Sequence, residues 1–352
     1  MKIGLVGTPQ VGKTTLFQLL TNLETQASSR ENVGIARVPD SRIDALTAMY
    51  KPRKITFATI EVVDIAGLLP GQGKKGSEFL NAVRDVDAIV QVVRGFHSDM
   101  VPTEDGEVKP MRDVDQIQAE LLLADWALLE TRFERLQKQS MKGAGGAEEL
   151  AVLEKFRDAL ENDLPLRTVE LSQPEEAAVR GYGFLTRKPL LILVNVDDSA
   201  LNGGFPQEEE LKDWTGQRSV PLVAASAQVE MEISQLDPED AEMFMEELGI
   251  EESGITRLAR AVYGHLGLIS YFTVGEDEVR AWTIRAGSSA RQAAGKIHSD
   301  IERGFIRAEV AAYDHLMEHG SMAALKEKGL WRLEGKEYVV ADGDVISFRF
   351  NV

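Results

Sequence analysis

Apolar residues recur along this chain in two alternating patterns, short unbroken runs and longer stretches with helical spacing. Lys2–Val6 and Thr59–Asp64 are short apolar runs of the kind found in buried strands. Thr15–Leu23 instead spaces its apolar residues along one face of a helix. The two patterns alternate up to about Met111, and this alternation predicts a doubly wound α/β domain with a mostly parallel sheet.

Two long helical patterns follow, separated by a glycine-containing segment. Asp115–Gln139 carries apolar residues near heptad spacing, and Ala147–Leu160 has an apolar face of its own. Ser140–Gly146 between them has the composition of a flexible turn. We therefore predict an antiparallel helical hairpin inserted into the first domain. A further helix over Ser172–Leu185 is expected to lead back to a strand that begins near Leu190.

From about Ser270 the pattern changes again, to short β runs around one helical stretch near Ser289–Glu302. This order of elements predicts a small mixed-sheet module of the ubiquitin-like β-grasp type, which has no catalytic groups of its own. The β runs are Tyr271–Val274, Arg280–Arg285, Tyr338–Val340 and Asp344–Asn351.

The residues between the first strand and the first helix carry the most specific chemistry. Gly7–Thr14 reads Gly-Thr-Pro-Gln-Val-Gly-Lys-Thr, which has the spacing of a phosphate loop. A strand that turns through glycines into a helix directs a row of backbone N–H groups at one point, where phosphates can bind. Lys13 is expected to bridge the β- and γ-phosphates, and the Thr14 hydroxyl to bind Mg²⁺. The alternative is a chance match in a turn, which the flanking strand and helix make improbable.

A second motif, Asp64-Ile-Ala-Gly67, follows the strand at Thr59–Asp64. An Asp beside the phosphate loop can hold Mg²⁺ through a water molecule, and the Gly67 N–H can face the γ-phosphate. Many GTPases then place a Gln that orients the attacking water, but this chain has Leu68, so slow intrinsic turnover is expected. The predicted catalytic residues are Lys13 and Gly67, and the predicted metal ligands are Thr14 and Asp64.

Two further motifs resemble the base-binding elements of nucleotide switches. The strand from Leu190 ends in Asn195 with Asp198 close behind, as in N-K-x-D, although Val196 replaces the Lys. Ala225–Gln228 resembles the S-A-K loop that closes the base pocket. The full set predicted to bind the nucleotide is Pro9, Gln10, Val11, Gly12, Lys13, Thr14, Thr15, Asn195, Val196, Asp198, Ser226, Ala227 and Gln228.

Together with these motifs, other segments give the chain a nearly end-to-end resemblance to YchF-type, Obg-like ATPases. The segments are Val38–Asp44, Lys51–Lys54, Asp87–Arg94, Ala281–Ile284, Gly304–Arg307 and Asp342–Val352. The resemblance implies a P-loop NTPase that binds and slowly hydrolyses ATP with Mg²⁺. An apolar residue at the position of Leu68 is a feature of this family.

The resemblance also implies a division into three domains and a large partner. The P-loop nucleotide-binding domain is expected over residues 1–112 and 187–266, the inserted helical domain over 113–186, and a TGS-like β-grasp domain over 267–352. The ribosome or RNA is the expected partner, through the TGS-like domain and the helical hairpin.

Several positions depart from the family pattern. Gln10 replaces an Asn that helps to place potassium, which argues against potassium stimulation. Thr103 aligns with a family histidine, and Asp198 with a family Glu. Because Asp is the guanine-reading acid of GTPases, both ATP and GTP stay open, with ATP favoured by the missing Lys. The first switch is shorter than in the family, and the candidates for its Mg²⁺-binding Thr are Thr25, Ser28 and Ser29.

Composition narrows the class of protein further. The chain has 352 residues, no cysteine and a formal net charge of -18, so disulfides and thiol catalysis are excluded and broad nucleic-acid binding is disfavoured. Residues 267–352 are nearly balanced, with 11 basic and 13 acidic side chains, and a basic helix face at Lys296, His298, Arg303 and Arg307 is a candidate RNA contact. No apolar run approaches the roughly 20 residues that span a bilayer. We expect a cytoplasmic monomer with no membrane partner.

Two other functions stay open at this point. A non-hydrolysing scaffold is compatible with the short first switch and with Gln10. A metabolic phosphotransferase could use the same loop, but the chain shows no Arg-rich lid.

Overall fold

The computed structural model describes residues 1–23, 32–68, 74–101, 103, 106–140 and 146–351. The chain forms two compact units, and each of them combines two separate segments. The first unit contains Met1–Ile35 and Glu61–Leu258, and the second contains Ala36–Ile60 and Ala259–Val352.

The secondary structure alternates as the apolar pattern predicts. The strands are β1 (Lys2–Val6), β2 (Asn32–Arg37), β3 (Lys54–Thr56), β4 (Thr59–Asp64), β5 (Ala88–Gly95), β6 (Leu190–Val196), β7 (Leu222–Ala225), β8 (Leu268–Thr273), β9 (Glu278–Arg285), β10 (Phe305–Ala312), β11 (Arg332–Glu334) and β12 (Asp344–Phe350). The helices are α1 (Lys13–Thr21), α2 (Ser41–Tyr50), α3 (Lys74–Arg84), α4 (Pro110–Ser140), α5 (Ala147–Glu161), α6 (Gln173–Val179), α7 (Ala200–Gly203), α8 (Glu208–Gln217), α9 (Ala227–Gln235), α10 (Pro238–Glu247), α11 (Gly254–His265), α12 (Ala290–Ile297), α13 (Ser299–Arg303), α14 (Tyr313–His319) and α15 (Met322–Glu327).

The first sheet has the strand order β2-β4-β1-β5-β6-β7. β1 pairs in parallel with β4 and β5, and β5, β6 and β7 continue the parallel pairing. β5 and β6 are buried along their whole length, as expected for central strands of a parallel sheet. The predicted doubly wound architecture is confirmed. Up to and including β4, the chain adds strands on one side of β1, and from β5 onward it adds them on the other side. Ligands bind such sheets at the point where the strand order reverses.

The predicted helical hairpin is confirmed in α4 and α5, which are each slightly longer than the apolar pattern indicates. The two helices share a buried apolar cluster that includes Leu129, Phe133, Leu136, Val152, Leu153 and Phe156. Residues 141–145 of the predicted turn lie outside the described part of the chain. No helix within the described residues is both long enough and apolar enough to cross a membrane.

The helix predicted over Ser172–Leu185 is too long. α6 ends at Val179, and only a short 3-10 turn follows it. Gly183 then adopts a left-handed conformation with φ 67°, which ends helical backbone. The Asp125 carboxylate next accepts the N–H of Leu185 at 2.7 Å, so the chain there is bound to α4 instead of continuing a helix.

The second unit is a mixed sheet in the order β11-β10-β12-β8-β9-β3, as expected for the predicted module. β10 with β12 and β8 with β9 are antiparallel, whereas β12 with β8 and β3 with β9 are parallel. β3 comes from residues 36–60, which the three-part division assigns to the first domain. The sequence pattern does not predict this placement, because β3 has only three residues and its partner strand lies more than 200 positions away. The three-part division itself stays a prediction.

Other expectations for this unit were wrong in detail. The run Tyr338–Val340 does not form a strand, and Val339 makes only a single bridge to Ser289. The helix expected over Ser289–Glu302 breaks at His298, whose backbone is extended. The His298 Nδ1 atom accepts the Asp300 N–H at 3.1 Å and so caps the start of α13.

The candidate basic face is divided by this break. Lys296 lies in α12, Arg303 ends α13 and Arg307 lies in β10. Arg303 is also paired with the Asp300 carboxylate on its own helix. The prediction that these cations share one helix face is therefore wrong.

Candidate nucleotide-binding site

The phosphate loop lies between β1 and α1, at the edge of the sheet where the strand order reverses. Two of its glycines are required by close approach of other groups. A Cβ atom on Gly7 would clash with the Val92 carbonyl oxygen, and one on Gly12 would clash with the Asn195 amide. Gly12 also has φ 94°, a backbone conformation that other residues rarely adopt. The loop is thus packed tightly against β5 and the end of β6.

Lys13 begins α1 and is only 7% exposed. Its Nζ atom donates hydrogen bonds to the carbonyl oxygens of Gly7 at 3.2 Å and Thr8 at 2.7 Å. Burial lowers the pKa of Lys13 to about 8, and the nearby charges of Asp64 and Asp113 oppose this shift. The ammonium group is therefore held, partly desolvated, at the loop where a phosphate is expected.

The Asp64-Ile-Ala-Gly67 segment passes directly beside this lysine. A Cβ atom built on Gly67 would lie 3.1 Å from Lys13 Nζ and 3.0 Å from the Pro9 nitrogen, so the backbone comes close to the phosphate loop. Leu68 donates its N–H to the Gly7 carbonyl at 3.3 Å, and its side chain is 3% exposed in the hydrophobic core. Leu68 therefore cannot position a water molecule at the site.

Thr14 and Asp64, the predicted metal ligands, are in direct contact. The Thr14 hydroxyl donates to the Asp64 carboxylate at 2.8 Å. A hydroxyl and a carboxylate are the hard oxygen donors that Mg²⁺ prefers. Within the described residues no group of three or more His, Asp or Glu side chains forms a metal site. The donor set fits Mg²⁺, which usually takes its remaining ligands from phosphates and water.

Asn195 joins the phosphate loop to the start of α9. Its Nδ2 donates to the Val11 carbonyl at 3.0 Å, and its Oδ1 accepts the Ala227 N–H at 2.9 Å. The side chain is buried, and Ser226 next to this contact caps α9 by accepting the Val229 N–H at 3.4 Å. Both polar atoms of the Asn195 amide are thus occupied in holding two loops together.

A cavity of about 340 Å³ lies between these loops. Nine of the residues that line it belong to the predicted nucleotide-binding set, and four do not. The predicted ones are Gln10, Gly12, Thr15, Asn195, Val196, Asp198, Ser226, Ala227 and Gln228, and the others are Phe96, His97, Ser98 and Asp197. Pro9, Val11, Lys13 and Thr14 are not among its lining residues and belong to the phosphate-loop side.

The loop after β5 supplies the wall that sequence reasoning missed. The His97 N–H donates to the Asp197 carboxylate at 3.0 Å, which ties this loop to the end of β6. Arg94 donates from Nε to the Phe96 carbonyl at 3.0 Å and stacks over the Phe96 ring at 4.9 Å. No sequence motif marks these residues. They are identified by the pairing of β5 with β6, which brings the ends of both strands to one edge of the sheet. Thr25, Ser28 and Ser29 lie outside the described residues.

Asp113 is a second carboxylate close to Lys13, and the motifs do not mark it. It accepts the Arg94 N–H at 3.1 Å and a hydrogen bond from the Thr8 side chain. Burial raises the pKa of Asp113, although these hydrogen bonds favour its charged form. Asp113 therefore connects the start of α4 to the phosphate loop.

Two family models match opposite ends of the chain. One, described as 50S ribosome-binding GTPase, matches residues 2–125. The other, YchF-GTPase_C, described as a protein of unknown function (DUF933), matches residues 268–351. Across 361 aligned residues the chain is 43% identical to the ribosome-binding ATPase YchF of Bacillus subtilis, with 99% of each chain covered. The chain belongs to the YchF family.

Other YchF proteins extend the same similarity. The chain is 42% identical to the ribosome-binding ATPase YchF of Escherichia coli O157:H7, covering 100% of this chain and 99% of that protein. The solved YchF GTPase of Schizosaccharomyces pombe has a TM-score of 0.89 at 34% identity, covering 99% of this chain and 97% of that one. The predicted YchF resemblance and its P-loop α/β fold are confirmed. In this YchF protein Asp198 lines the cavity of about 340 Å³, and its Oδ1 accepts the Ser199 N–H at 2.7 Å.

Proposed function

We propose that this chain is a magnesium-dependent nucleotide switch that hydrolyses ATP slowly and acts on the ribosome. The observation that carries the proposal is the convergence of Lys13, the Thr14–Asp64 pair and the Gly67 backbone at one loop. The relatives named ribosome-binding ATPases, similar over the full length of this chain, support the choice of ATP and of the ribosome. A ribosomal partner supports a cytoplasmic location for the protein.

The chain's own groups account for most of the expected chemistry. The backbone N–H groups of the phosphate loop and the Lys13 ammonium bind the phosphates and stabilise charge as the terminal bond breaks. Thr14 and Asp64 are the residues that would hold Mg²⁺, which neutralises phosphate charge when it is bound. With Leu68 buried in the core, no side chain at that position orients the attacking water, so turnover without a partner is expected to be slow.

This proposal predicts magnesium-dependent phosphate release. Purified protein should release phosphate from ATP in the presence of Mg²⁺ and stop when EDTA removes the metal. Ribosomes should increase the rate and should sediment with the protein when it holds ATP. A non-hydrolysing scaffold would bind ATP with Mg²⁺ but release no phosphate, with or without ribosomes, and that result would refute the proposed hydrolysis.

The cavity of about 340 Å³ between the phosphate loop and Asp198 is where we place the base, and it supports adenine as the preferred base. The Asp198 Oδ1 atom accepts the Ser199 N–H, which reduces its capacity to accept the second of the two neighbouring donors of guanine. Adenine presents one amino donor beside a ring acceptor, so it needs only one acceptor from Asp198, and an Asn at the same position would match both groups. Val196 also removes the Lys that stacks on the base in many GTPases.

We therefore predict that Asp198→Asn separates the two bases. ATP affinity should stay within about threefold of the wild type, while any GTP affinity should fall by about tenfold, or about 1.4 kcal/mol. Competition of ATP and of GTP against a fluorescent nucleotide measures both. Asp213→Asn, an exposed change on α8, is the matched control. An equal loss for both nucleotides would contradict this mode of base recognition.

A further inference from the structure

The first unit contains a second, larger cavity that shares no lining residue with the nucleotide site. It measures about 690 Å³ and is bounded by α4, the end of α5 and α8. Its walls are mainly apolar and include Leu122, Leu123, Trp126 and Trp214. Leu123 lines the cavity and is 65% exposed, so this apolar surface is open to a ligand.

Arg167 lines this cavity, and the described part of the chain gives it no acidic partner. Its guanidinium donates to two neutral acceptors, the Thr186 carbonyl at 3.3 Å and the Gln118 side-chain oxygen at 3.1 Å. Among the described residues, its buried Nε atom has no hydrogen-bond partner, and no carboxylate acts on its charge. Burial lowers the pKa of Arg167 to about 10, and the positive charge of Arg218 adds to this shift. A cation in such surroundings is costly until an anion joins it.

Arg167 is also held in one orientation. Gln118, which accepts its hydrogen bond, is 7% exposed and donates to the fully buried Gln91 at 2.8 Å. Gln91 in turn donates to the Asp113 carbonyl at 2.9 Å. The guanidinium is therefore fixed before a ligand arrives, which reduces the entropy lost on binding.

The second arginine and the acids around the opening restrict the charge of the ligand. Arg218 stacks over the Trp214 ring at 4.6 Å and also lines the cavity. Asp115, Glu161 and Asp163 line it as well, and all three are exposed. Their combined negative charge disfavours multiply charged anions such as nucleotides or phosphate esters. A single carboxylate on an apolar body can reach Arg167 while its body contacts the two tryptophans.

We infer that this cavity is a binding site for a small organic monoanion, an aromatic or acyl body bearing one carboxylate, with Arg167 as the group that binds the carboxylate. The volume is within the range of ligand pockets, about 300–1,000 Å³. The site is separate from the proposed nucleotide chemistry, so its existence does not depend on hydrolysis.

Calorimetric titration of the full chain with 2-naphthoate tests this inference. Two further probes share the same ring system, the dianion 2-naphthyl phosphate and the neutral 2-naphthylmethanol. Saturable binding of naphthoate with one site per chain is expected, at least tenfold tighter than either comparison probe. The titration is repeated with saturating ATP, and naphthoate binding should persist because the two cavities share no residue.

Three variants identify the site. Arg167→Gln should weaken naphthoate binding by at least tenfold. Ala119→Trp, on an exposed position that lines the cavity, should do the same by filling it while leaving every charge in place. Arg135→Gln, on an exposed position of the same helix, should bind like the wild type. Wild-type binding in folded Ala119→Trp protein, equal affinity for the neutral probe, or displacement of naphthoate by ATP would each overturn the inference.

Discussion

Lys13→Ala is expected to abolish measurable ATP hydrolysis, with a loss of about a hundredfold to a thousandfold or more in rate, the range found when one group that stabilises transition-state charge is removed. In the described phosphate loop the Lys13 ammonium donates to the Gly7 and Thr8 carbonyls, so the substitution removes the positive charge that is held there. Phosphate release at saturating ATP and Mg²⁺ measures the effect.

The first control for this prediction is to show that the Lys13→Ala variant stays folded. Since burial lowers the pKa of Lys13, the folded protein holds this charge at a cost, and removal should change the free energy of unfolding by no more than about 1 kcal/mol. Lys138→Ala, on the exposed surface of α4, should keep full activity. Unchanged turnover in Lys13→Ala would rule out the phosphate-loop mechanism.

Asp125→Ala is expected to cause the largest loss of stability. The Asp125 carboxylate is 1% exposed and accepts hydrogen bonds from the N–H groups of Leu185 and Thr186 and from the Thr186 hydroxyl, each at 2.7 Å. Truncation leaves these three donors buried and unpaired, which should lower the free energy of unfolding by about 3–5 kcal/mol. Urea-induced unfolding followed by circular dichroism measures the change.

Two variants make this result specific. Asp125→Asn keeps one acceptor oxygen and should lose less stability than Asp125→Ala. Asp158→Ala, on the exposed side of α5, should stay within about 0.5 kcal/mol of the wild type. If Asp125→Ala unfolds at the same urea concentration as Asp158→Ala, the buried carboxylate does not hold the segment after α6 to α4.

The phosphate-loop side of the site could be predicted because its chemistry depends on local spacing. Glycines, Lys13 and Thr14 lie within one turn between a strand and a helix, so sequence distance and spatial distance agree. The contact between Thr14 and Asp64 was also predictable, since Asp64 ends β4, Thr14 follows β1, and the two strands are neighbours in a parallel sheet.

The base side of the site was harder to predict. The wall from Phe96 to Ser98 has no motif of its own and depends on the pairing of β5 with β6. Asn195 carries a recognisable motif, but its role as a clamp between Val11 and Ala227 needs both loops in place. These features arise from tertiary contacts that no local window of sequence contains.

The same limit applies to the second unit. His298 interrupts what the apolar spacing indicates as one helix, because its imidazole caps the next turn. β3 is only three residues long and becomes a strand only by pairing with β9. Local propensity is too weak in such short segments to decide between helix, strand and loop.

The position of β3 in the sequence affects how this protein folds during its synthesis. Residues 36–60 are synthesised about two hundred residues before the partner strand β9. β3 therefore cannot pair with β9 until most of the chain has been translated. A recombinant fragment that starts at residue 259 would lack α2 and β3 and would present the bare edge of β9 to other chains. Grafting residues 36–60 onto that fragment should restore solubility.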